Sequence, residues 1–201
     1  MEFFFYCRDR PGIGDLRWEV TEEHWAFMDR YAEGMIARGP TLSPDGTEIT
    51  GSMHIVDLPD VDAAQEFALD EPYYKAGVFD EVLVRRWSNT LGHTMWEFAG
   101  GLAGHRRFLI IAHARPGRTA AHEALAEEHH RYLALDHREH LIAIGPLMSE
   151  DGATWTGTAM LVELPDRDAV EVLLAEEPYA RAGLYQSIEI HVWRFGGRPQ
   201  A

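Results

Sequence analysis

Hydrophobic and polar positions in the first half of the chain follow two different periods. An apolar run closed by a Pro-Gly pair is typical of a buried strand and a turn, whereas apolar residues spaced by three and four positions indicate an amphipathic helix. The predicted elements are a strand over 3–7, a helix over 16–38 that Gly39-Pro40 ends, a strand over 50–58, a helix over 61–69 and a strand over 79–87. The order is β-α-β-β-α-β if Thr41-Leu42 also pairs.

The second half of the chain repeats the first at a displacement of 106 residues. The matched pairs are Gly39-Pro40 with Gly145-Pro146, Asp45-Gly46 with Asp151-Gly152, Glu71-Pro72-Tyr73 with Glu177-Pro178-Tyr179, and His24 with His130. So many matches at one displacement indicate a duplication. We expect one copy over 1–98 and a second over 106–201, joined by a glycine-rich linker over 99–105.

The second copy is expected to repeat the order of elements. Its predicted strands are 108–114, 155–164 and 185–195, and its predicted helices are 119–143 and 167–175. A split β-α-β arrangement forms an antiparallel sheet with both helices on one face. The opposite face of each sheet must also be covered, so we expect the two copies to pack sheet to sheet as an internal pseudo-twofold pair.

Composition narrows the class of protein. With 33 acidic and 18 basic residues the formal charge is −15, which disfavours nucleic acid and anionic membranes as partners. The single cysteine, Cys7, excludes an internal disulfide and a multi-thiolate metal site within one chain. No apolar stretch reaches the roughly 18 to 20 residues of a membrane helix. We therefore expect a cytoplasmic globular protein.

Motifs spread along the first copy carry a family resemblance. They are Tyr6 to Gly12, Leu16-Arg17, His24, Gly39-Pro40, Asp45-Gly46, Gly51-Ser52, Glu71-Pro72-Tyr73 and Ala76-Gly77. This set resembles the YciI-like (YCII-related) domains of the dimeric α+β barrel superfamily. The resemblance implies an α+β fold in which two ferredoxin-like modules pack as an internal pseudo-dimeric barrel. It also implies a pocket that holds a histidine and an acidic partner, with glutamate here in place of the family's usual aspartate.

Histidine and glutamate are the candidate catalytic residues of both copies. An imidazole beside a carboxylate can exchange protons near neutral pH, which suits acid–base chemistry. We predict the pairs His24 with Glu71 and His130 with Glu177. The alternatives are a helix histidine bonded to a backbone carbonyl and a Glu-Pro-Tyr motif that only ends a helix.

Substrate-binding candidates surround these pairs. Arg8 and Arg17 could bind a carboxylate or enolate through their guanidinium groups, or could form only surface ion pairs. Tyr73 and Tyr179 could donate hydrogen bonds to a substrate oxygen, although aromatic packing is the commoner use. Asp45 lies in an Asp-Gly turn, where turn chemistry alone can explain it. Since the repeat aligns Ala114 with Arg8 and Glu123 with Arg17, the first pocket is the better candidate.

Three functional hypotheses follow. The first is a lyase, isomerase or cyclase that transfers protons on a small oxygenated or aromatic metabolite, with no organic cofactor and no metal. The second is a non-catalytic ligand-binding or scaffold protein with one degraded pocket. The third is a metal-binding protein that uses the histidine-rich second copy, although His122, His129, His137 and His140 match no compact ligand motif. Exposed sheet edges make a homodimer of the tandem chain an additional expectation.

Overall fold

The computed structural model describes residues 1–198, which form two compact units. The first unit contains Met1–Trp87 together with the segment that begins at Trp193, and the second contains Ser88–Val192. In the predicted division the C-terminal segment belongs to the second copy. In the structure it lies on the first unit instead, where the amide of Gly196 donates to the carbonyl of Arg38 at 3.0 Å.

The first unit is an antiparallel sheet with helices packed on one face. Its elements are β1 (Glu2–Asp9), α1 (Gly14–Glu19), α2 (Thr21–Asp29), a 3₁₀ turn (Ala32–Gly34), β2 (Met35–Leu42), β3 (Ile49–Asp57), α3 (Val61–Asp70), α4 (Pro72–Lys75) and β4 (Phe79–Trp87). The strand order is β4-β1-β3-β2. Phe3 and Phe5 alternate along β1 and pack against Phe27 and Met28 of α2 and Phe67 of α3. The helices therefore cover the face from which these strand residues project.

The second unit repeats these elements. They are a 3₁₀ turn (Met95–Glu97), β5 (Arg106–Ala114), α5 (Thr119–His130), a π-helix (Arg131–Asp136), a 3₁₀ turn (Arg138–His140), β6 (Leu141–Met148), β7 (Trp155–Leu164), α6 (Arg167–Glu176), α7 (Pro178–Arg181) and β8 (Tyr185–Trp193). The strand order is β8-β5-β7-β6, and β7 pairs antiparallel with both β5 and β6. No helix among residues 1–198 is long and apolar enough to cross a membrane.

The long first helix predicted for each copy is wrong in its second half. The segment predicted as a helix over 16–38 contains two short helices and then the first half of β2, and Gly39-Pro40 lies inside that strand. In the second copy, likewise, β6 begins within the predicted helix over 119–143. The reason is that buried Met35 and Ile36 continue the helical spacing, and periodicity cannot separate a short apolar strand from a helix.

A one-residue insertion changes the register of the duplication. Phe3 of β1 pairs with Val56 of β3, and the equivalent pair in the second copy is Phe108 of β5 with Val162 of β7. The first strands are therefore 105 residues apart (108 − 3), whereas the strands that they pair with are 106 apart (162 − 56). The second copy carries its extra residue where α5 continues into the π-helix, whose wider turn accommodates one more residue per bonded ring. Positions before the π-helix are therefore related by 105, and those after it by 106.

We expect alanine at Gly51 or Gly157 to destabilise the protein by about 1 to 3 kcal/mol in urea unfolding. A Cβ at Gly51 would collide with the carbonyl oxygen of Cys7, and one at Gly157 with the carbonyl oxygen of Ala112. Gly157 also has φ of +150°, which strains any other residue. Gly14→Ala is the control, because its Cβ would meet nothing within 4 Å. Unfolding midpoints equal to that of the wild type would contradict this account of the strand contact.

Candidate functional site

A buried histidine and glutamate form the centre of the site in the first unit. The Nδ1 atom of His24, on α2, lies 2.5 Å from Oε1 of Glu71. Glu71 is the N-cap residue of α4, and its Oε2 accepts from the amide of Tyr74 at 2.9 Å. Both side chains are almost fully buried. Because a carboxylate can only accept, Nδ1 carries the proton and the lone pair of the neutral ring is on Nε2.

Tyr73 supports the ring of His24. The two rings stack at 4.2 Å with an interplanar angle of 20°. The hydroxyl of Thr21 donates to the carbonyl of Arg17 at 2.8 Å, so the hydroxyl of Tyr73 donates to Thr21 across 3.1 Å. Burial raises the pKa of Tyr73. Tyr73 thus positions His24, and its own hydroxyl is already used within the protein.

Arg17 is held by a buried network. Its Nη1 contacts the two carboxylate oxygens of Asp9 at 2.6 and 2.8 Å, and its Nη2 donates to Ser52 Oγ at 2.5 Å. The guanidinium also lies 4.3 Å from the centre of the Tyr73 ring. Burial raises the pKa of Asp9 to about 6, against the opposing effect of the Arg17 charge. These contacts hold the guanidinium in a single position.

These side chains open onto a cavity of about 320 Å³. Arg17, His24, Ser52 and Tyr73 line it, together with Trp18, Trp25, Met28, Arg38, Ile49, His54 and Phe195. Burial lowers the pKa of His24, although its bond to Glu71 acts in the opposite direction. His24 is therefore neutral at pH 7. Its Nε2 has no hydrogen-bond partner among residues 1–198 and is the ring nitrogen available to a ligand.

Two predicted binding residues lie elsewhere. Arg8 is exposed on β1, with Glu81 at 3.5 Å, and Asp45 is exposed in a turn where Ser43 and Thr47 donate to it. Those hydrogen bonds lower the pKa of Asp45. Neither residue lines the cavity, so the predicted substrate-binding role of Arg8 and of Asp45 is corrected. Successive residues of a strand face opposite sides of the sheet. Since Cys7 packs against Tyr73 beside the site, Arg8 projects from the opposite side of β1, away from the cavity.

The second unit has the same dyad with a different histidine. His129 Nδ1 lies 2.5 Å from Glu177 Oε1, and the His129 ring stacks on Tyr179 at 4.0 Å. Glu177 accepts from the amides of Tyr179 and Ala180, as an N-cap residue does. His130 is exposed. The predicted pairing of His130 with Glu177 is wrong, because positions before the π-helix are displaced by 105 residues.

The surroundings of the second dyad differ from those of the first. At the corrected displacement of 105, His122 is equivalent to Arg17, and Ala114 is equivalent to Asp9. The predicted displacement of 106 had instead aligned Glu123 with Arg17, and Ala114 with Arg8. The His122 ring stacks on buried Trp155 at 4.2 Å. Thr158, in the place of Ser52, accepts from the hydroxyl of Tyr185 at 3.2 Å. The second unit thus keeps the dyad and has replaced the Arg17 network by aromatic packing.

The histidines proposed for a metal site are dispersed. His129 binds Glu177, His122 stacks on Trp155, and the rings of His137 and His140 are 6.3 Å apart. Within the described part of the chain, no group of three or more histidine, cysteine, aspartate or glutamate side chains is arranged to hold a metal ion.

Four residues in or beside the cavity were not among the predicted site residues: Asp9, Arg38, Ser52 and His54. Asp9 and Ser52 both lie within motifs that carry the family resemblance, which is the signal that could have identified them. His54 and Arg38 had no such signal, because the side to which a strand residue points depends on strand register.

Two relatives match about one module of the chain. An uncharacterized protein of Haemophilus influenzae is 29% identical over 92 residues, which are 42% of this chain and 94% of that protein. The solved structure of 5-chloro-2-hydroxyhydroquinone dehydrochlorinase from Burkholderia phenoliruptrix AC1100, in complex with 2,5-dihydroxybenzoquinone, is 32% identical. It covers 44% of this chain and 94% of its own, with a TM-score of 0.41.

Other comparisons cover most of the chain. A chlorite dismutase variant from Candidatus Nitrospira defluvii, 10% identical, matches 97% of this chain and 91% of its own with a TM-score of 0.61. This likeness shows the fold alone, and it confirms the predicted α+β fold class. The YCII-related domain matches twice, at residues 1–88 and 106–194. The chain therefore belongs to the YCII-related domain family and carries two copies of that domain in tandem.

Proposed function

We propose that the first copy is an enzyme that transfers protons on a small oxygenated or aromatic metabolite, in a reaction of the lyase, isomerase or cyclase type. The observation that carries this proposal is the buried His24, which lines the cavity, has its Nδ1 bonded to Glu71 and has an Nε2 without a hydrogen-bond partner among residues 1–198. A base of this kind is fully available at neutral pH. The carboxylate orients the ring and stabilises the imidazolium that forms when Nε2 takes a proton.

The first chemical step is removal of a proton from the carbon next to a carbonyl group, in a keto acid or in the keto tautomer of a polyhydroxylated benzene. Nε2 of His24 takes the proton, the electron pair of the C–H bond forms a carbon–carbon double bond, and the π pair of the carbonyl group moves onto its oxygen. Arg17 stabilises the resulting oxyanion electrostatically, since its position is already set by Asp9 and Ser52. Elimination, isomerisation and cyclisation diverge only after this step, when the proton returns or a group leaves.

The cavity suits a ligand of about one aromatic ring. Its walls are largely apolar, with Trp18, Trp25, Met28 and Ile49 around a few polar groups, as is usual for small-molecule sites. A protein that only binds its ligand would have the same walls and would need no free base.

A cytoplasmic location and a homodimer of the tandem chain stay predictions.

His24→Gln should lower catalysed proton exchange by a factor of about 10² to 10⁴, because glutamine fills similar space but cannot take a proton. The assay incubates keto acids and polyhydroxylated benzenes in D₂O and follows loss of carbon-bound protons by NMR. His130→Gln is the matched control, since this side chain is exposed outside the dyads. An exchange rate in His24→Gln equal to that of the wild type would exclude His24 as the base.

The exchange rate should fall as the pH decreases, with a midpoint below 6.5. The active form is the neutral ring, and burial lowers the pKa of His24 from its usual value of 6.5. In Glu71→Gln the midpoint should move lower still, because the contact with Glu71 raises the pKa of His24. The maximal rate should also fall as the ring loses its orienting carboxylate. A midpoint above 7, or one unmoved in Glu71→Gln, would contradict the dyad mechanism.

A further inference from the structure

A second pair of polar side chains lies in the same cavity, on the sheet side. Arg38 of β2 and His54 of β3 are direct cross-strand partners, so their side chains project from the same face. The His54 ring is 5.8 Å from the ring of His24 and stands edge-on to Phe67 of α3 at 5.9 Å. The pair therefore lies under the helices and beside the catalytic dyad.

His54 has ring nitrogens that no hydrogen-bonding group among residues 1–198 satisfies. The residue is 3% exposed, lines the cavity, and forms no hydrogen bond with any of residues 1–198. Burial lowers the pKa of His54 well below its ordinary value, and the positive charge that His24 carries when protonated, with those of Arg38 and Arg17, acts in the same direction. The neutral ring has one donor and one acceptor, and leaving them unpaired is costly. A polar group of a bound ligand would satisfy them.

Arg38 brings a positive charge to this side of the cavity. Its side chain is 17% exposed, and its Nη1 lies 3.8 Å from Oδ1 of the half-exposed Asp29. A guanidinium matches the planar geometry of a carboxylate and can bind it through two donors.

The second copy shows that the fold itself does not require this pair. The equivalent positions hold Ile144 and Met160, which are also cross-strand partners and are almost completely buried. The same sheet position is therefore apolar in one copy and polar in the other. A buried histidine without a hydrogen-bond partner among residues 1–198 has a desolvation cost that an apolar residue avoids, which favours a ligand-binding role for this position in the first copy.

We propose that Arg38 and His54 form an anion subsite that binds the carboxylate of the substrate, in the cavity that His24 also lines. Arg38 supplies the charge and His54 a hydrogen bond, while the apolar walls hold the rest of the molecule. The inference rests on the proposed function for the identity of the reacting group. It names the substrate class as small aromatic or keto acids.

Calorimetric titration of the full chain tests the subsite with two matched pairs of probes. The pairs are 4-hydroxybenzoate with 4-hydroxybenzamide, and pyruvate with pyruvamide, in each of which an uncharged amide of similar shape replaces the carboxylate. The wild type should bind at least one acid ten times or more tightly than its amide. The double variant Arg38→Ile, His54→Met carries the residues of the second copy and should lose this preference. Arg38→Lys should keep part of it, and Arg8→Met, outside the cavity, all of it.

Equal binding of acid and amide by the wild type in both pairs, including no binding of either, would overturn the proposal. A preference for the acid over the amide that survives in the double variant would also overturn the proposal. If the double variant does not fold, the same outcome in the single variant His54→Met would overturn it. His24→Gln separates the two proposals, because it should abolish proton exchange and keep the preference for the acid. Loss of the preference in the double variant, with normal exchange in His24→Gln, would support the subsite and refute the proposed function.

Discussion

The hydrogen bond between His24 and Glu71 is the interaction on which the first unit's site depends. A carboxylate buried to this degree is stable only when its oxygens have partners, and Glu71 has two, the ring of His24 and the amide of Tyr74. The second contact is a helix cap, so the start of α4 fixes where the carboxylate lies. The first contact then fixes the ring of His24 relative to the sheet and the cavity.

The duplication separates what this bond does for the fold from what it contributes to chemistry. Both units keep a histidine on an N-capping glutamate, although a register change of one residue lies between them. Only the first unit adds the Asp9–Arg17–Ser52 network to it. The dyad alone is thus common to both copies, and the catalytic proposal depends on the cavity and charges around the dyad in the first copy.

Much of the fold was predictable, because repeated turn motifs and periodicity mark the elements. The structure has strands over 79–87 and 155–164, as predicted. It also has the predicted contact between a histidine and the glutamate of the Glu-Pro-Tyr motif. The exchange of His129 for His130 could have been predicted, because Arg10-Pro11-Gly12 returns as Arg115-Pro116-Gly117 at a displacement of 105, whereas the matches at 106 other than His24 lie after the insertion. The positions of Arg8 and His54 required strand register, which a single sequence leaves undetermined.

The proposed proton transfer requires that His24 is neutral at pH 7, with its proton on Nδ1 and a lone pair on Nε2. Nitrogen-15 NMR of the histidine side chains measures this directly, because protonated and bare ring nitrogens have well-separated chemical shifts. We predict a bare Nε2 and a protonated Nδ1 for His24 at pH 7, with the signals assigned through His24→Gln. An imidazolium, or a neutral ring protonated on Nε2, would contradict the account.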